Sequence, residues 1–231
     1  ACNQACLDNI FKGKVASCLV NPKACFETEF SNSVTISPKK IAVIGAGPAG
    51  MACALEAAKR GHHVSLFERS HSLGGQFNLA KVIPGKEEFH ETIRYFTEQL
   101  KKYHVKVIFG LSIDKDSPEL KEFDELIIST GVSPRTPKIS GIDHPKCIGY
   151  TEAIQKTKEI GKKVAIIGAG GIGFDVSEFL LHTQSDKTEE DELEAFLSYW
   201  GIDKDYNNRG ALKPRVIPPP IREIYLLQRK E

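Results

Sequence analysis

The sequence predicts an α/β protein with parallel sheets, and two observations support this fold class. The first is a glycine turn, Gly45 to Gly50, which follows a short apolar run and opens a helical pattern. The second is a similar turn, Gly168 to Gly173, with an apolar run before it and a helical pattern after it. A strand, a glycine turn and a helix in this order are typical of a Rossmann-like unit. The chain therefore contains two such units.

The first unit has the regular alternation of strands and helices that a parallel sheet requires. Its apolar runs are short, and its longer segments repeat apolar residues at helical spacing. The predicted strands are Lys40–Ile44, His63–Phe67, Val105–Phe109 and Glu125–Ser129, and the predicted helices are Pro48–Arg60 and Glu87–Tyr103.

The second unit begins again with a strand, Lys163 to Ile167, and a helix, Gly171 to Leu181. A polar excursion from about Thr183 to Pro220 separates this helix from the next strand, Glu223 to Leu227. An acidic run, Glu189 to Glu192, lies in the excursion. We interpret the run as the solvated face of a helix rather than as a binding site, since charge runs usually serve that role.

These patterns divide the chain into three parts. Residues 1–38 form a cysteine-rich segment with a linker, because Ser, Asn and Pro are frequent from 31 to 39. Residues 39–140 form the first nucleotide-binding domain, and residues 141–231 form the beginning of a second. Since a parallel sheet is usually larger than one βαβ unit, we expect the chain to be part of a longer polypeptide.

Composition and charge exclude several classes of partner. The 231 residues are 41% hydrophobic and 26% charged, with a net charge of +1. This balance gives no reason to expect nucleic acid or an anionic membrane surface, which select a concentrated basic excess. No apolar run approaches the length of about 18 residues that spans a membrane, and the first residues lack the pattern of a signal peptide. We expect a cytoplasmic location.

The first glycine turn predicts a dinucleotide site. Gly45 permits a tight turn, Gly47 lets the backbone approach a pyrophosphate, and Gly50 lets helix and strand pack closely. The N-terminus of the helix favours the phosphates, and Glu68 can accept hydrogen bonds from a ribose. Gly74, which begins the run Gly74-Gly75-Gln76, supplies flexible backbone near the pyrophosphate and favours a flavin at this turn. The alternative is a glycine-rich connection that binds nothing.

The second turn, with Gly168, Gly170 and Gly173, predicts a second dinucleotide. After the next strand comes Gln228-Arg229-Lys230, where a carboxylate stands in a site for NAD. Cations suit a 2′-phosphate, because arginine donates paired hydrogen bonds to it. The sequence therefore favours NADP over NAD, unless Arg229 and Lys230 are ordinary surface charges.

Four of the six cysteines lie in the first 25 residues, which favours a metal site over disulfides. Three, eleven and six residues separate Cys2, Cys6, Cys18 and Cys25. Without a paired Cys-x-x-Cys, this spacing suits an iron–sulfur cluster better than structural zinc. The two cysteines outside the segment, Cys53 and Cys147, are predicted to be buried, unreactive thiols.

Several runs of sequence resemble the iron–sulfur flavoenzyme family that includes bacterial NADPH-dependent 2,4-dienoyl-CoA reductase and trimethylamine dehydrogenase. The resemblance extends through the chain and includes more than the glycine turns. The runs that carry it are CNQACLD, GKVASCLVNP, GGQFNLAKVIPGKEEF, GVSPRTPKISGIDHPK, VAIIGAGGIGFD and WGID.

The resemblance implies a set of site residues. It implies that Cys2, Cys6 and Cys18 are ligands of a 4Fe-4S cluster whose first ligand would precede Ala1, with Cys25 as a possible substitute. The FAD contacts that it implies are Gly47, Ala49, Glu68, Gln76, Lys86 and Ile113, and the NADPH contacts are Arg229 and Lys230.

The activity that the resemblance implies is hydride transfer from NADPH to FAD, followed by electron passage through the cluster to FMN. The substrate would be an unsaturated fatty acyl-CoA of β-oxidation, reduced in a separate FMN-binding barrel that holds the catalytic residues. Two alternatives stay open. The chain can be a related dehydrogenase module that binds ADP structurally, or a non-catalytic nucleotide-binding or assembly module.

Overall fold

The computed structural model describes residues 5–30, 33–182 and 189–228. The chain divides into two units, Ala1–His144 and Pro145–Glu231. The cysteine-rich segment belongs to the first unit, where its helix α1 spans Ala5–Ile10 and buries none of its residues.

The first unit contains a four-stranded parallel sheet with the strand order β3-β2-β1-β4. All four predicted strands are present, and each agrees with its predicted bounds to within one residue. The strands are β1 (Lys40–Ile44), β2 (His63–Glu68), β3 (Lys106–Phe109) and β4 (Glu125–Ile128); the helices are α2 (Pro48–Lys59), α3 (Phe77–Ala80) and α4 (Phe89–Lys102), with a 3-10 turn at Pro118–Glu122.

The core of this unit lies between the sheet and helices α2 and α4. Val43 of β1, Leu66 of β2, Met51 of α2 and Leu100 of α4 are fully buried in one apolar cluster. A buried run such as that of β1 is typical of a parallel strand covered by helices. The sheet and the two helices therefore hold the ends of the strands in fixed positions.

Local sequence sets the bounds of the helices. Pro48 begins α2, where its missing N–H group costs no helical hydrogen bond. Gly61, at a φ of +89°, follows the C-cap Arg60. Helix α4 begins two residues later than predicted, because the Glu87 carboxylate accepts the Gly85 N–H group and residues 86–91 form successive turns.

The second unit contains a two-stranded parallel sheet, β5-β6, in which Ile167 pairs with Leu227. Val176, Phe179 and Leu180 of the helix after β5 are buried, and Ala153 and Ile154 are buried on a short preceding helix. The elements are α5 (Tyr150–Ile154), β5 (Lys163–Ile167), α6 (Gly171–Leu181), α7 (Glu189–Trp200), a 3-10 turn at Arg209–Ala211 and β6 (Glu223–Leu227).

The polar excursion of the second unit contains helix α7, as the acidic run predicts. Residues 190 to 196 of this helix are exposed, which agrees with a solvated face. Beyond it, the buried carboxylate of Asp203 accepts hydrogen bonds from the backbone and side-chain amides of Asn208 at 2.8 and 3.0 Å. These bonds close the loop that follows α7.

The two cysteines outside the cysteine-rich segment differ in their exposure. Cys53 lies on α2, where partial burial raises the pKa of its thiol. Cys147 is exposed, so the prediction of a buried thiol is wrong for this residue. It lies in an irregular segment just before α5, where no helical or strand spacing exists to bury it.

Within the part of the chain that the structure describes, no helix is both long enough and apolar enough to cross a membrane.

Candidate dinucleotide-binding sites

The turn between β1 and α2 needs glycine at its first and last positions. Gly45 adopts a φ of +102°, and its N–H group donates to the Phe67 carbonyl at 2.8 Å. A β-carbon at position 45 would lie 2.6 Å from the Ser129 carbonyl oxygen. One at position 50 would lie 1.8 Å from the Gly45 carbonyl oxygen. Both approaches are shorter than any packed carbon tolerates, so no larger residue fits here.

Gly47 occupies the open side of the turn. A β-carbon there would meet nothing within 4 Å among the described residues. It is the N-cap of α2, in an extended conformation, and no side chain of the described part caps the helix. Ala49, in the first turn of α2, is exposed. The uncapped amides and the positive end of the helix dipole therefore face space that an anion can occupy.

Glu68 lies at the carboxyl end of β2, beside the turn, and is 7% exposed. Its two carboxylate oxygens accept the N–H groups of Ala46 and Ser70, each at 2.8 Å. Burial acts to raise the pKa of Glu68, but the hydrogen bonds from Ser70 and Ala46 outweigh it and hold the pKa below its usual range. The side chain is therefore an anion, and each oxygen keeps a lone pair for a ribose hydroxyl.

The loop after β2 lies against the turn. The Gly74 N–H group donates to the Ala46 carbonyl at 2.9 Å, and a β-carbon on Gly75 would lie 3.2 Å from the Gly47 α-carbon. Both residues of the loop have positive φ. The backbone of this loop thus forms a second wall beside the open face of Gly47.

Three further predicted contacts lie on neighbouring loops. Gln76 is the N-cap of α3, and its side-chain amide donates to the Val132 carbonyl, beyond β4. Lys86 is half-buried in the turn before α4, where its N–H group donates to Ile83. Ile113 is half-buried four residues past β3, whose Phe109 pairs with Glu68. Gln76 is thus connected directly to the region of the turn, whereas Lys86 and Ile113 lie on the loops around it.

Ser129 also contacts the turn, although the sequence analysis did not single it out. Its hydroxyl oxygen lies 2.9 Å from the carbonyl oxygens of both Ile44 and Gly45. Its position directly before Thr130-Gly131, at the end of a predicted strand, is the signal that the sequence offered.

The turn between β5 and α6 repeats this geometry. Gly168 has a φ of +118°, and its N–H group donates to the Leu227 carbonyl at 2.9 Å. A β-carbon on Gly173 would lie 1.9 Å from the Gly168 carbonyl oxygen, whereas one on Gly170 would meet nothing within 4 Å in the described part. Helix α6 begins at Gly171 without a side-chain cap. This turn therefore also presents uncapped amides to open space.

The register of the two sheets identifies the residue that corresponds to Glu68. Ile44 pairs with Phe67 in the first unit, and Ile167 pairs with Leu227 in the second. The residue after Phe67 is Glu68, and the residue after Leu227 is Gln228, which is exposed. Arg229 and Lys230 lie outside the described residues.

The cysteine segment is described in part. Cys6 and Cys18 are half-buried and Cys25 is exposed, while Cys2 lies outside the described residues. Among the described residues, no three His, Cys, Asp or Glu side chains are arranged to hold a metal ion. The cluster therefore stays a prediction from the sequence.

Comparison with known proteins decides the family. The model for the pyridine nucleotide-disulphide oxidoreductases matches residues 39–201, which include both turns. The chain belongs to this family. Because this family binds FAD and NAD(P)H, the chain is a flavin-dependent NAD(P)H oxidoreductase module.

Relatives of the chain are reductases and oxidases. It is 34% identical over 179 residues to a bilirubin reductase of Mediterraneibacter gnavus, covering 78% of this chain and 28% of the relative. It is 32% identical over 187 residues to an NADH oxidase of Thermoanaerobacter brockii, covering 78% and 29%.

A solved structure of a reductase is also similar to this chain. A 2-naphthoyl-CoA reductase in complex with 2-naphthoyl-CoA is 35% identical, with a TM-score of 0.75, over 78% of this chain and 28% of that one. This oxidoreductase chain thus spans between a quarter and a third of the length of these relatives.

Proposed function

We propose that the chain is the electron-input portion of an NADPH-dependent 2,4-dienoyl-CoA reductase. In this proposal NADPH supplies hydride to FAD, and electrons pass through a 4Fe-4S cluster to FMN for the reduction of an unsaturated fatty acyl-CoA. The observation that carries the proposal is the pair of matching glycine turns, one beside a buried carboxylate and one beside a neutral amide.

The first turn is assigned to FAD. The anionic Glu68 suits the hydroxyls of a ribose that carries no 2′-phosphate, as in the adenosine half of FAD. Gly47 and the loop of Gly74 and Gly75 leave open backbone on the side where a pyrophosphate would meet the N-terminus of α2. A flavin supplies the conversion of a hydride into single electrons.

The second turn is assigned to NADPH. Gln228 corresponds to Glu68 by register, so no carboxylate at the position directly after β6 would repel a 2′-phosphate. Arg229 and Lys230 follow it in the sequence and suit the phosphate by charge. The relative named NADH oxidase makes NADH the alternative donor.

The substrate class is supported by resemblance and by one relative. The runs GGQFNLAKVIPGKEEF and GVSPRTPKISGIDHPK resemble the dienoyl-CoA reductases, and the similar solved structure holds a CoA thioester. We assign the reduction of the thioester, and FMN, to the separate barrel that the resemblance implies. The cluster is supported by the spacing of Cys2, Cys6 and Cys18 alone.

Anaerobic reduction of the FAD-loaded protein tests the proposal. NADPH should bleach the visible absorbance of the flavin, and NADH at the same concentration should do so more slowly. Bleaching by neither nucleotide would instead support a module that binds ADP structurally. Protein that holds no FAD after reconstitution would support an assembly module.

The substrate and the cluster need separate measurements. A 2,4-dienoyl-CoA should be reduced at the expense of NADPH by the complete enzyme, faster than an aromatic acyl-CoA. Iron and acid-labile sulfide should each be present at about four per chain, as a 4Fe-4S cluster requires. A preference for the aromatic thioester would contradict the substrate assignment, and zinc in place of iron would contradict the cluster.

A further inference from the structure

Ser129 contacts the backbone of the first turn through three groups. Its N–H group donates to the Ile44 carbonyl at 2.9 Å, which extends the pairing of β4 with β1 by one residue. Its hydroxyl oxygen is 2.9 Å from the carbonyl oxygens of Ile44 and Gly45. Its carbonyl oxygen is the atom that a β-carbon on Gly45 would approach to 2.6 Å.

The same hydroxyl also lies against the end of the turn. A β-carbon on Gly50 would be 2.6 Å from the Ser129 hydroxyl oxygen. Ser129 therefore contacts the space around both Gly45 and Gly50, which are five positions apart. A half-buried hydroxyl in this position can hold the strand end and the first helical turn in one arrangement.

The second turn has no such contact in the described part of the chain. A β-carbon on Gly168 would meet nothing within 4 Å, and the nearest atom to one on Gly173, apart from Gly168 itself, is a methyl carbon of Leu226 at 3.4 Å. In the described part of the chain, β5 pairs with β6 and with no strand that corresponds to β4, the strand that precedes Ser129 in the first unit.

The Ser129 hydroxyl affects the direction of the peptide dipoles at the end of β1. The carbonyls of Ile44 and Gly45 lie at the carboxyl end of β1, next to the open backbone of Gly47, where negative oxygen would repel a pyrophosphate. The hydroxyl has one hydrogen, which it donates to one of these oxygens or shares between the two. Either arrangement favours one orientation of the peptide planes and offsets part of the negative charge of the carbonyls. The amides at the N-terminus of α2 then face the phosphates in a fixed direction.

We propose that Ser129 is a positioning residue of the FAD site, which holds the glycine turn in the conformation that receives the pyrophosphate. The role rests on the proposed binding of FAD at the first turn. Val132, three residues later, accepts the side-chain amide of Gln76, so the segment after β4 is tied to both sides of the turn.

Binding measurements on two variants and a matched control test this role. Ser129→Ala removes the hydroxyl, and Ser129→Thr retains it. Thr97→Val removes a different half-buried hydroxyl in the same unit, which donates to the Ile93 carbonyl within α4 at 2.8 Å. FAD and ADP affinities are measured on the apoprotein, together with its unfolding temperature.

Ser129→Ala should lower the affinities for FAD and for ADP by the same factor. The factor should be about five-fold, which corresponds to the loss of one neutral hydrogen bond. ADP shares only the pyrophosphate and adenosine with FAD, so an equal loss localises the effect to the turn. Ser129→Thr should restore the affinity, and Thr97→Val should leave it unchanged. The affinity for NADPH should be unchanged in all three variants.

Several results would overturn the role of Ser129 alone. They are an unchanged FAD affinity in Ser129→Ala, an equal loss in Thr97→Val, or no restoration by Ser129→Thr at a wild-type unfolding temperature. Failure of the wild-type protein to bind FAD would overturn the proposed function as well, so the two failures are distinguishable.

Discussion

The two glycine turns have the same backbone geometry in different surroundings. Gly45 and Gly168 both have positive φ, and both donate their N–H groups to the neighbouring strand. A β-carbon added to the last glycine of each turn would lie less than 2 Å from the carbonyl oxygen of the first glycine. The motif therefore sets its own local conformation, because these contacts lie within six residues.

The surroundings differ in what lies beside each turn. The first turn packs against Ser129 of the neighbouring segment after β4 and against the buried carboxylate of Glu68. The second is adjacent to β6, which ends in the exposed Gln228, and its first glycine has open space beside it in the described part. In the proposed assignment, one motif serves two dinucleotides, because the residues beside each turn differ.

The largest expected effect comes from adding a methyl group at the last glycine of either turn. Gly50→Ala would place a carbon 1.8 Å from the Gly45 carbonyl oxygen and force the turn apart. Overpacking of this kind costs about 3 kcal/mol, which corresponds to about 100-fold in FAD affinity. Gly173→Ala should instead abolish reduction by NADPH and leave FAD bound.

Titration of FAD and anaerobic reduction measure the two losses separately. Gly161→Ala is the control, because a β-carbon there would meet nothing within 4 Å in the described part. Loss of FAD in Gly173→Ala, with Gly50→Ala unaffected, would reverse the assignment of the two turns.

A smaller effect is expected from Glu68→Gln. The substitution removes the charge that strengthens hydrogen bonds to the Ala46 N–H group and to a ribose. FAD affinity should fall by about 30-fold, since a hydrogen bond to a charged group contributes about 2 kcal/mol. Glu98→Gln, on the exposed side of α4, makes the same change away from the turn and should have no effect. An equal affinity in Glu68→Gln and wild type would contradict the role of Glu68.

Gln228→Glu should make the second site resemble the first. A carboxylate there would accept the ribose hydroxyls of NADH and repel the 2′-phosphate of NADPH. The ratio of kcat/KM for NADPH to that for NADH should fall by about ten-fold, or about 1.4 kcal/mol. Gln155→Glu, an exposed residue after α5, provides the control for charge. A ratio that does not change would remove Gln228 from the specificity of the site.

The smallest effect is expected on the pH dependence of the free energy of unfolding. The folded pKa of Glu68 is below its ordinary value of about 4.5, because its backbone hydrogen bonds outweigh its burial. The ionised side chain therefore stabilises the fold above about pH 4.5, and this contribution is lost as the pH falls through the lowered pKa. Unfolding curves of wild type and Glu68→Gln should converge in acid and separate near neutral pH. Curves that separate only in acid would contradict a stabilising effect of the ionised Glu68 side chain.

Much of the fold could be predicted because its signals are local. The run Ile41–Ile44, the proline at position 48 and the period of α4 each act through neighbours a few residues away. The short helices α3 and α5 were not predicted, because four or five residues carry too little periodicity. The exposure of Cys147 was also missed, since a single apolar residue has no spacing to interpret.

The sequence by itself determined the two turns, their glycines and the presence of Glu68 after the second strand, because steric limits between residues a few positions apart decide them. The tertiary structure decided the partners of each turn. Ser129 reaches Gly45 across 84 residues, and Gln228 corresponds to Glu68 only through the register of two sheets. Such contacts depend on which strands become neighbours, and no local pattern in the chain encodes that choice.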